Sequence, residues 1–383
     1  MQDCALASSG ADFQLAGGNT LRPKFGVKAL GGLAAGALIA LTFANTPIAA
    51  ATTAVSSTRT SPGPAVVSGP ARLTPAVAAM VKGTGVAARE KALARYWSPA
   101  RMKAAKPDWQ MPALRMRAGA KPGTPGTTKV SGPETRIAGT TSATTPKPTN
   151  PAGTRHPSPQ SFYPNYPVGS PVARTAGKVF FTSFGLNYVC SGTVVNTEGK
   201  STVWTAGHCV SDAGKWNYNW TFVPNYASGS APYGVWSSYQ LWATSAWFNN
   251  NSDWADDVGA SIMNRNGGQR ITDYLGGQGI AWNYPIGYYV YAFGYPQGPP
   301  FNGCCLVEAT GYTYNGGGGT IYMLNDMTGG SSGGAWLNWF DGNWGYINGH
   351  NDFRYPGYPQ YMWSPYYGNQ VAGLYNAVRY IST

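Results

Sequence analysis

Near residue 170 the chain changes texture, and that break constrains its fold more than any single motif. Beyond it, short runs of Val, Ile, Tyr, Phe, Trp and Thr are separated by Gly, Asn, Asp and Pro. Val179-Phe-Phe-Thr, Tyr188-Val-Cys-Ser-Gly-Thr-Val-Val, Ser201-Thr-Val-Trp-Thr-Ala, Tyr288-Tyr-Val-Tyr-Ala-Phe and Trp344-Gly-Tyr-Ile each have strand character and turn formers at their ends. These runs predict an all-β domain over 171–383. Only the C-terminal stretch has apolar residues at helical spacing, Val371, Leu374, Tyr375, Val378 and Ile381, so the domain should end in a helix. No repeat of fixed period is present.

Residues 51–170 are dominated by Ala, Thr, Ser, Pro, Gly, Lys and Arg, and a stretch such as Lys121-Pro-Gly-Thr-Pro-Gly-Thr-Thr cannot bury a core. A largely disordered leader follows from that composition. One island differs. Ala87 to Ala105 contains good helix formers around Tyr96-Trp97-Ser98-Pro99, where Ser98 can cap a helix that starts at Pro99. A short helical hairpin is expected there, and the region as a whole fits either a pro-segment or a linker. In the first fifty residues, Leu21 to Ala50 has a basic start (Arg22, Lys24, Lys28), an uncharged run from Ala29 to Ala44 and small residues at Ala49-Ala50. That is a signal-peptide layout, with a start codon downstream of Met1 compatible with it, and it implies a secreted protein that meets the membrane only during export.

Charge divides at the same place. Residues 1–170 carry 19 Lys and Arg against 5 Asp and Glu, whereas 171–383 carry 8 against 10. The basic character therefore belongs to the leader, and the folded part lacks the positive surface that nucleic-acid binding needs. Four of the five cysteines lie in the folded part. Cys190 and Cys209 flank strand-like runs, and an exported chain meets an oxidising environment, so a bridge between them is expected. Cys304 and Cys305 are adjacent, which leaves a vicinal bridge, intermolecular pairing and two thiols all open.

A hydroxyl becomes a nucleophile when a neighbouring base takes its proton, and imidazole is an effective base when a carboxylate fixes its tautomer. The chain has 3 histidines, and one of them, His156, lies in the leader. His208 stands in Thr205-Ala-Gly-His-Cys209, directly after a strand-like run. Thr328-Gly-Gly-Ser-Ser332-Gly-Gly-Ala places Ser332 in a glycine-flanked turn that can aim successive N–H groups at one point. The amides of Gly330 and Ser332 are the candidate oxyanion donors.

These two segments resemble the histidine and serine motifs of the chymotrypsin/trypsin superfamily. Gly177-Lys-Val-Phe-Phe-Thr, Asp326-Met-Thr-Gly-Gly-Ser-Ser-Gly-Gly and the leader's Tyr96-Trp-Ser-Pro-Ala-Arg-Met are similar to secreted trypsin-like peptidases of actinobacteria, which also resemble glutamyl endopeptidases. The resemblance covers about Gly177 to the C-terminus. It implies two antiparallel β-barrels with the active site in the cleft between them and a helix after the second. It also implies a Ser332-His208-Asp257 triad acting by acyl transfer, because Asp257 is the carboxylate that directly precedes an apolar strand-like run; Asp256 and Asp253 are its neighbours. Ser331 replaces the aspartate that receives a new N-terminus in digestive zymogens, so that switch should be absent. Two pocket residues conflict: Asp326 resembles the acidic base of a trypsin pocket, and His350 the histidine that glutamyl endopeptidases present to acidic side chains.

The reading requires no cofactor and no metal, and no His-Glu-x-x-His or other clustered ligand set is present. Its partner is a protein or peptide substrate, acted on by a monomer. The rival from another class is a secreted glycan- or wall-binding module on an inactive protease-like fold, with Trp336, Trp339 and Trp344 stacking on sugars. Strand aromatics are more often packing residues, and an intact triad argues against it.

Overall fold

The structure, a computed structural model, describes residues 65–111, 114, 132–142, 161–162, 166, 169–250 and 253–383. The signal region, Cys4 and His156 lie outside the described residues.

Six strands close a first barrel. Trp236–Thr244, Tyr218–Pro224, Ala176–Ser183, Leu186–Val194, Thr202–Thr205 and Gly259–Met263 pair in that order, and the last returns to the first. Strand periodicity explains how one segment serves two cores. In Ala176–Ser183, Val179 and Phe181 join the cluster that includes Val203, Trp220 and Trp236. Phe180, between them in sequence, joins a different cluster on the opposite face. Every residue of that strand is buried, so both of its faces are covered.

A second sheet runs Gly279–Trp282, Tyr346–His350, Ala335–Asn338, Tyr289–Gly294 and Val307–Tyr312, with the first pair parallel and the rest antiparallel. A smaller sheet of Tyr314–Gly317, Thr320–Leu324 and Tyr361–Pro365 lies with it. Val290, Ala292, Val307, Ala309, Ile321, Met323, Trp336 and Met362 form their shared core. The architecture is that of a chymotrypsin-like double barrel. The chain ends in the helix Asn369–Val378, which buries Val371, Leu374, Tyr375 and Val378 on one stripe.

One part of the leader is folded beyond the expected helical island. A composition poor in large apolar residues predicted disorder, yet 65–111 is folded onto the first barrel. Val66–Pro70 adds an antiparallel strand to Trp236–Thr244, and Lys106–Pro107 pairs in parallel with Tyr188–Val189. Between them, helices Gly85–Tyr96 and Pro99–Ala104 form the hairpin, with the Ser98 hydroxyl accepting from the Arg101 N–H at 3.4 Å. The few apolar residues are concentrated on one face: Val77, Leu93, Trp97, Met102 and Ala105 are buried with Phe180 and Tyr226 of the barrel. Trp97 lies 5.4 Å from the Phe180 ring and donates its indole N–H to the Asn219 carbonyl at 3.0 Å. The leader thus covers the second face of Ala176–Ser183. Averaged composition hid this because few anchors suffice when the barrel supplies the opposing surface.

Candidate active site

His208 lies on the single-turn helix Gly207–Val210, which follows the strand Thr202–Thr205. That strand pairs antiparallel with Gly259–Met263, with Thr205 opposite Gly259. The histidine therefore leaves one strand at the end where Asp257 enters the next. This register brings together residues 49 positions apart: Asp257 accepts from the His208 backbone N–H at 2.7 Å and lies 2.8 Å from Nδ1. The Cys190–Cys209 bridge fastens the residue after His208 to a neighbouring strand. Of the other acids, Asp253 caps the turn Trp254–Asp256 by accepting from the Ala255 N–H, and Asp256 accepts a Thr244 hydroxyl bond through its carbonyl. Asp257 alone of the three meets the imidazole.

Ser332 sits in the turn before the strand Ala335–Asn338. The turn is bound to the first barrel: Ser191 N–H donates to the Ser332 carbonyl at 2.7 Å, and the Ser191 hydroxyl donates to the Gly330 carbonyl at 2.9 Å. Gly333 has φ +81°, and a Cβ there would lie 2.1 Å from the Thr205 hydroxyl, so this close approach requires glycine. Gly330, at φ +99°, turns its N–H toward the cleft.

One side chain that sequence reasoning did not select occupies the point where these groups converge. Asp108, from the leader, is 2 % exposed. Its Oδ2 lies 2.9 Å from His208 Nε2 and accepts from the Ser332 hydroxyl at 2.5 Å, while Oδ1 accepts from the Gly330 N–H at 2.5 Å. Nothing in local sequence singles out this aspartate. The only signal was its position between Pro107 and Trp109, just past the helical island.

A further missed residue is Asp352. Its side chain is fully buried, with Oδ1 3.4 Å from His208 Nδ1, and its carbonyl accepts from the Ser332 hydroxyl at 3.2 Å. Neither carboxyl oxygen has a well-formed hydrogen bond. Burial, and then the neighbouring charge of Asp257, push the Asp352 carboxyl well above the usual carboxylate range. For His208, burial opposes protonation. The charge of Asp257, the hydrogen bonds to Asp108 and Asp257 and the nearby Asp352 carboxyl outweigh it and hold the imidazole well above its ordinary value.

Donor atoms of His208, Asp257 and Asp352 lie within 4.8 Å of one another. His208 Nδ1 and Asp257 Oδ2, however, are at hydrogen-bond distance, which leaves no space for an ion between them. In the second such group, Cys190 and Cys209 are consumed by their bridge.

The cleft over the site has a volume of about 950 Å³ and is lined by Trp254, Thr328, Phe353, Arg354 and Tyr355 together with the leader's Trp109. The two residues expected in the pocket are not among its lining. His350 is fully buried, and its Nδ1 lies 2.9 Å from the Tyr367 hydroxyl. Asp326 has Arg354 for a neighbour, whose guanidinium donates to the Met327 carbonyl at 3.1 Å. No Asp326–His350 ion pair forms among the described residues. Arg354, overlooked in the sequence, lines the cleft. Of the tryptophans, Trp336 is core and donates to Asn351 at 2.8 Å, while Trp339 packs edge-on against Tyr284, Tyr288 and Tyr346. Trp336 is therefore closed to a ligand, while Trp339 keeps an exposed edge. Cys304 is buried and Cys305 is disulfide-bonded.

Fold and site together define a chymotrypsin-fold serine peptidase. Comparison with known proteins narrows the class. The protease Anisep from Arthrobacter nicotinovorans is 37% identical, with 54% of this chain aligned to 96% of that one at a TM-score of 0.51. The thermostable serine protease AL20 from an extremophilic microorganism is 35% identical, with 55% of this chain aligned to 98% of that one at a TM-score of 0.51. A Glu endopeptidase aligns at 17% identity over 61% of this chain and 99% of that one, with a TM-score of 0.45. No protein-family model and no curated protein matches. The chain belongs to the trypsin-like serine peptidases of bacteria.

Proposed function

We propose that the protein is a secreted serine endopeptidase that hydrolyses protein or peptide substrates through an acyl-enzyme, with Ser332 as nucleophile, His208 as general base and Asp257 as its orienting carboxylate. The observation that carries this reading is the convergence of a hydroxyl, an imidazole nitrogen and a backbone N–H on the single carboxylate of Asp108. A substrate carbonyl at that point meets the three groups that acyl transfer needs.

The proposed sequence of events uses those groups. Ser332 Oγ attacks the peptide carbonyl as its proton passes to His208 Nε2. Asp257 holds Nδ1–H and stabilises the imidazolium, and the Gly330 and Ser332 amides receive the oxyanion. Nε2–H then protonates the departing amine, and a water, deprotonated by the same nitrogen, releases the acyl group. No cofactor enters this scheme. Trp336, one of the tryptophans on which the glycan-binding alternative rests, is buried in the core, and no observation favours that alternative. In the chain whose leader has been cleaved, Ser332→Ala should retain the parent's melting temperature and lose at least about a thousandfold in kcat against a peptide library. Parental turnover by that variant would end the assignment.

A further inference from the structure

We propose that residues 66–111 are a built-in inhibitor and that the Asp108 carboxylate is the group that closes the catalytic centre. The inference rests on the peptidase reading above and adds the regulation of that same site. Asp108 engages three of the groups that a reacting carbonyl would meet: the hydroxyl of Ser332, Nε2 of His208 and the N–H of Gly330. A carboxylate resembles the planar acyl carbon of a product, with one oxygen on the oxyanion donor and the other between nucleophile and base. It cannot react forward, because a side-chain carboxylate has no amine to expel. It is also anionic, so it stabilises the protonated form of the base that catalysis needs neutral.

The docking that delivers it is extensive. The leader's strands extend the barrel at two places, by Val66–Pro70 and by Lys106–Pro107 directly before Asp108. Gln297 ties the segment down as well: its amide donates to the Ala105 carbonyl, and its oxygen accepts from the buried Lys178 ammonium at 2.6 Å. Trp109 then covers the glycine turn, so that a Cβ on Gly329 would lie 1.7 Å from its ring. Because the segment belongs to the same chain, its effective concentration is of millimolar order, and even modest intrinsic affinity keeps the site occupied.

The test compares intact full-length chains, their integrity confirmed by mass, in the hydrolysis of a small activated ester. Asp108→Ala should hydrolyse at least about tenfold faster than the parent, with Asp108→Asn in between, since it keeps hydrogen bonds but loses the charge. Cleaving the parent's leader should raise its rate to match. A folded Asp108→Ala chain no faster than a parent that cleavage does activate overturns the inhibitory role of Asp108. If neither chain hydrolyses the ester even after cleavage, the peptidase reading falls, and this inference with it.

A different observation carries a second inference. We propose that Asp352 is a positioning residue, a neutral carboxylic acid that donates to Asp257 and so steadies the Asp257–His208 pair. Its two oxygens are buried without well-formed hydrogen bonds, and it stands beside His208 Nδ1 while its own carbonyl holds the Ser332 hydroxyl. Two carboxylates this close in a dry site cannot both be charged. The titratable groups facing it are His208, Asp257 and Tyr367, with His350 and Asp108 behind them. In the leader-cleaved chain, Asp352→Asn, which keeps a neutral donor, should stay within about threefold of the parent kcat. Asp352→Ala should lose about tenfold or more in kcat with KM unchanged and a shifted acid limb of the pH profile. Equal losses in Asn and Ala variants, or an unaffected Ala variant, overturn it.

Discussion

Three carboxylates crowd one imidazole: Asp257 on Nδ1, Asp108 on Nε2 and Asp352 alongside. His350, behind them, is the opposite case. Burial pushes its imidazole down to about 4, so it is neutral in the fold and charges on unfolding. The unfolded chain then binds the extra proton between its ordinary value of 6.5 and about 4. The contribution to stability is therefore complete above that window and is lost as pH falls through it. The unfolding free energy of the parent should decline across the window by a component of about 1.4 kcal/mol per pH unit that His350→Gln lacks. An identical decline in both proteins would show that His350 is not titrating on unfolding. His208 and Ser332 were legible because each sits in a distinctive local motif. Asp108 and Asp352 were not, because an acid acquires its role from what the fold places around it.

Strand runs bounded by Gly and Asn gave the positions of the barrel elements, and helical spacing gave the terminal helix with its buried stripe Val371, Leu374, Tyr375 and Val378. The helical island was legible for the same reason, since Ser98-Pro99 is a local start signal. Its docking was not. Trp97, Leu93 and Met102 need a partner surface to form a core, and that surface, around Phe180, lies about eighty residues away in sequence. The surroundings of His350 were hidden on similar grounds: it ends the strand Tyr346–His350, and its Nδ1 lies 2.9 Å from the Tyr367 hydroxyl. Which face of a strand meets substrate depends on register, and register is a property of the sheet.

At the scale of the whole molecule, residues 66–111 pack on a faintly acidic β domain and bring Asp108 to its active centre. The central claim is chemical: a nucleophilic hydroxyl at residue 332, activated by residue 208. A serine-directed fluorophosphonate tests it most directly, applied to the chain after leader cleavage and read by peptide mass. The account predicts one stoichiometric adduct, on Ser332, that forms at least about a hundredfold more slowly in a His208→Ala chain. A folded, leader-cleaved protein that takes up no label, or that carries it on another residue, would contradict it.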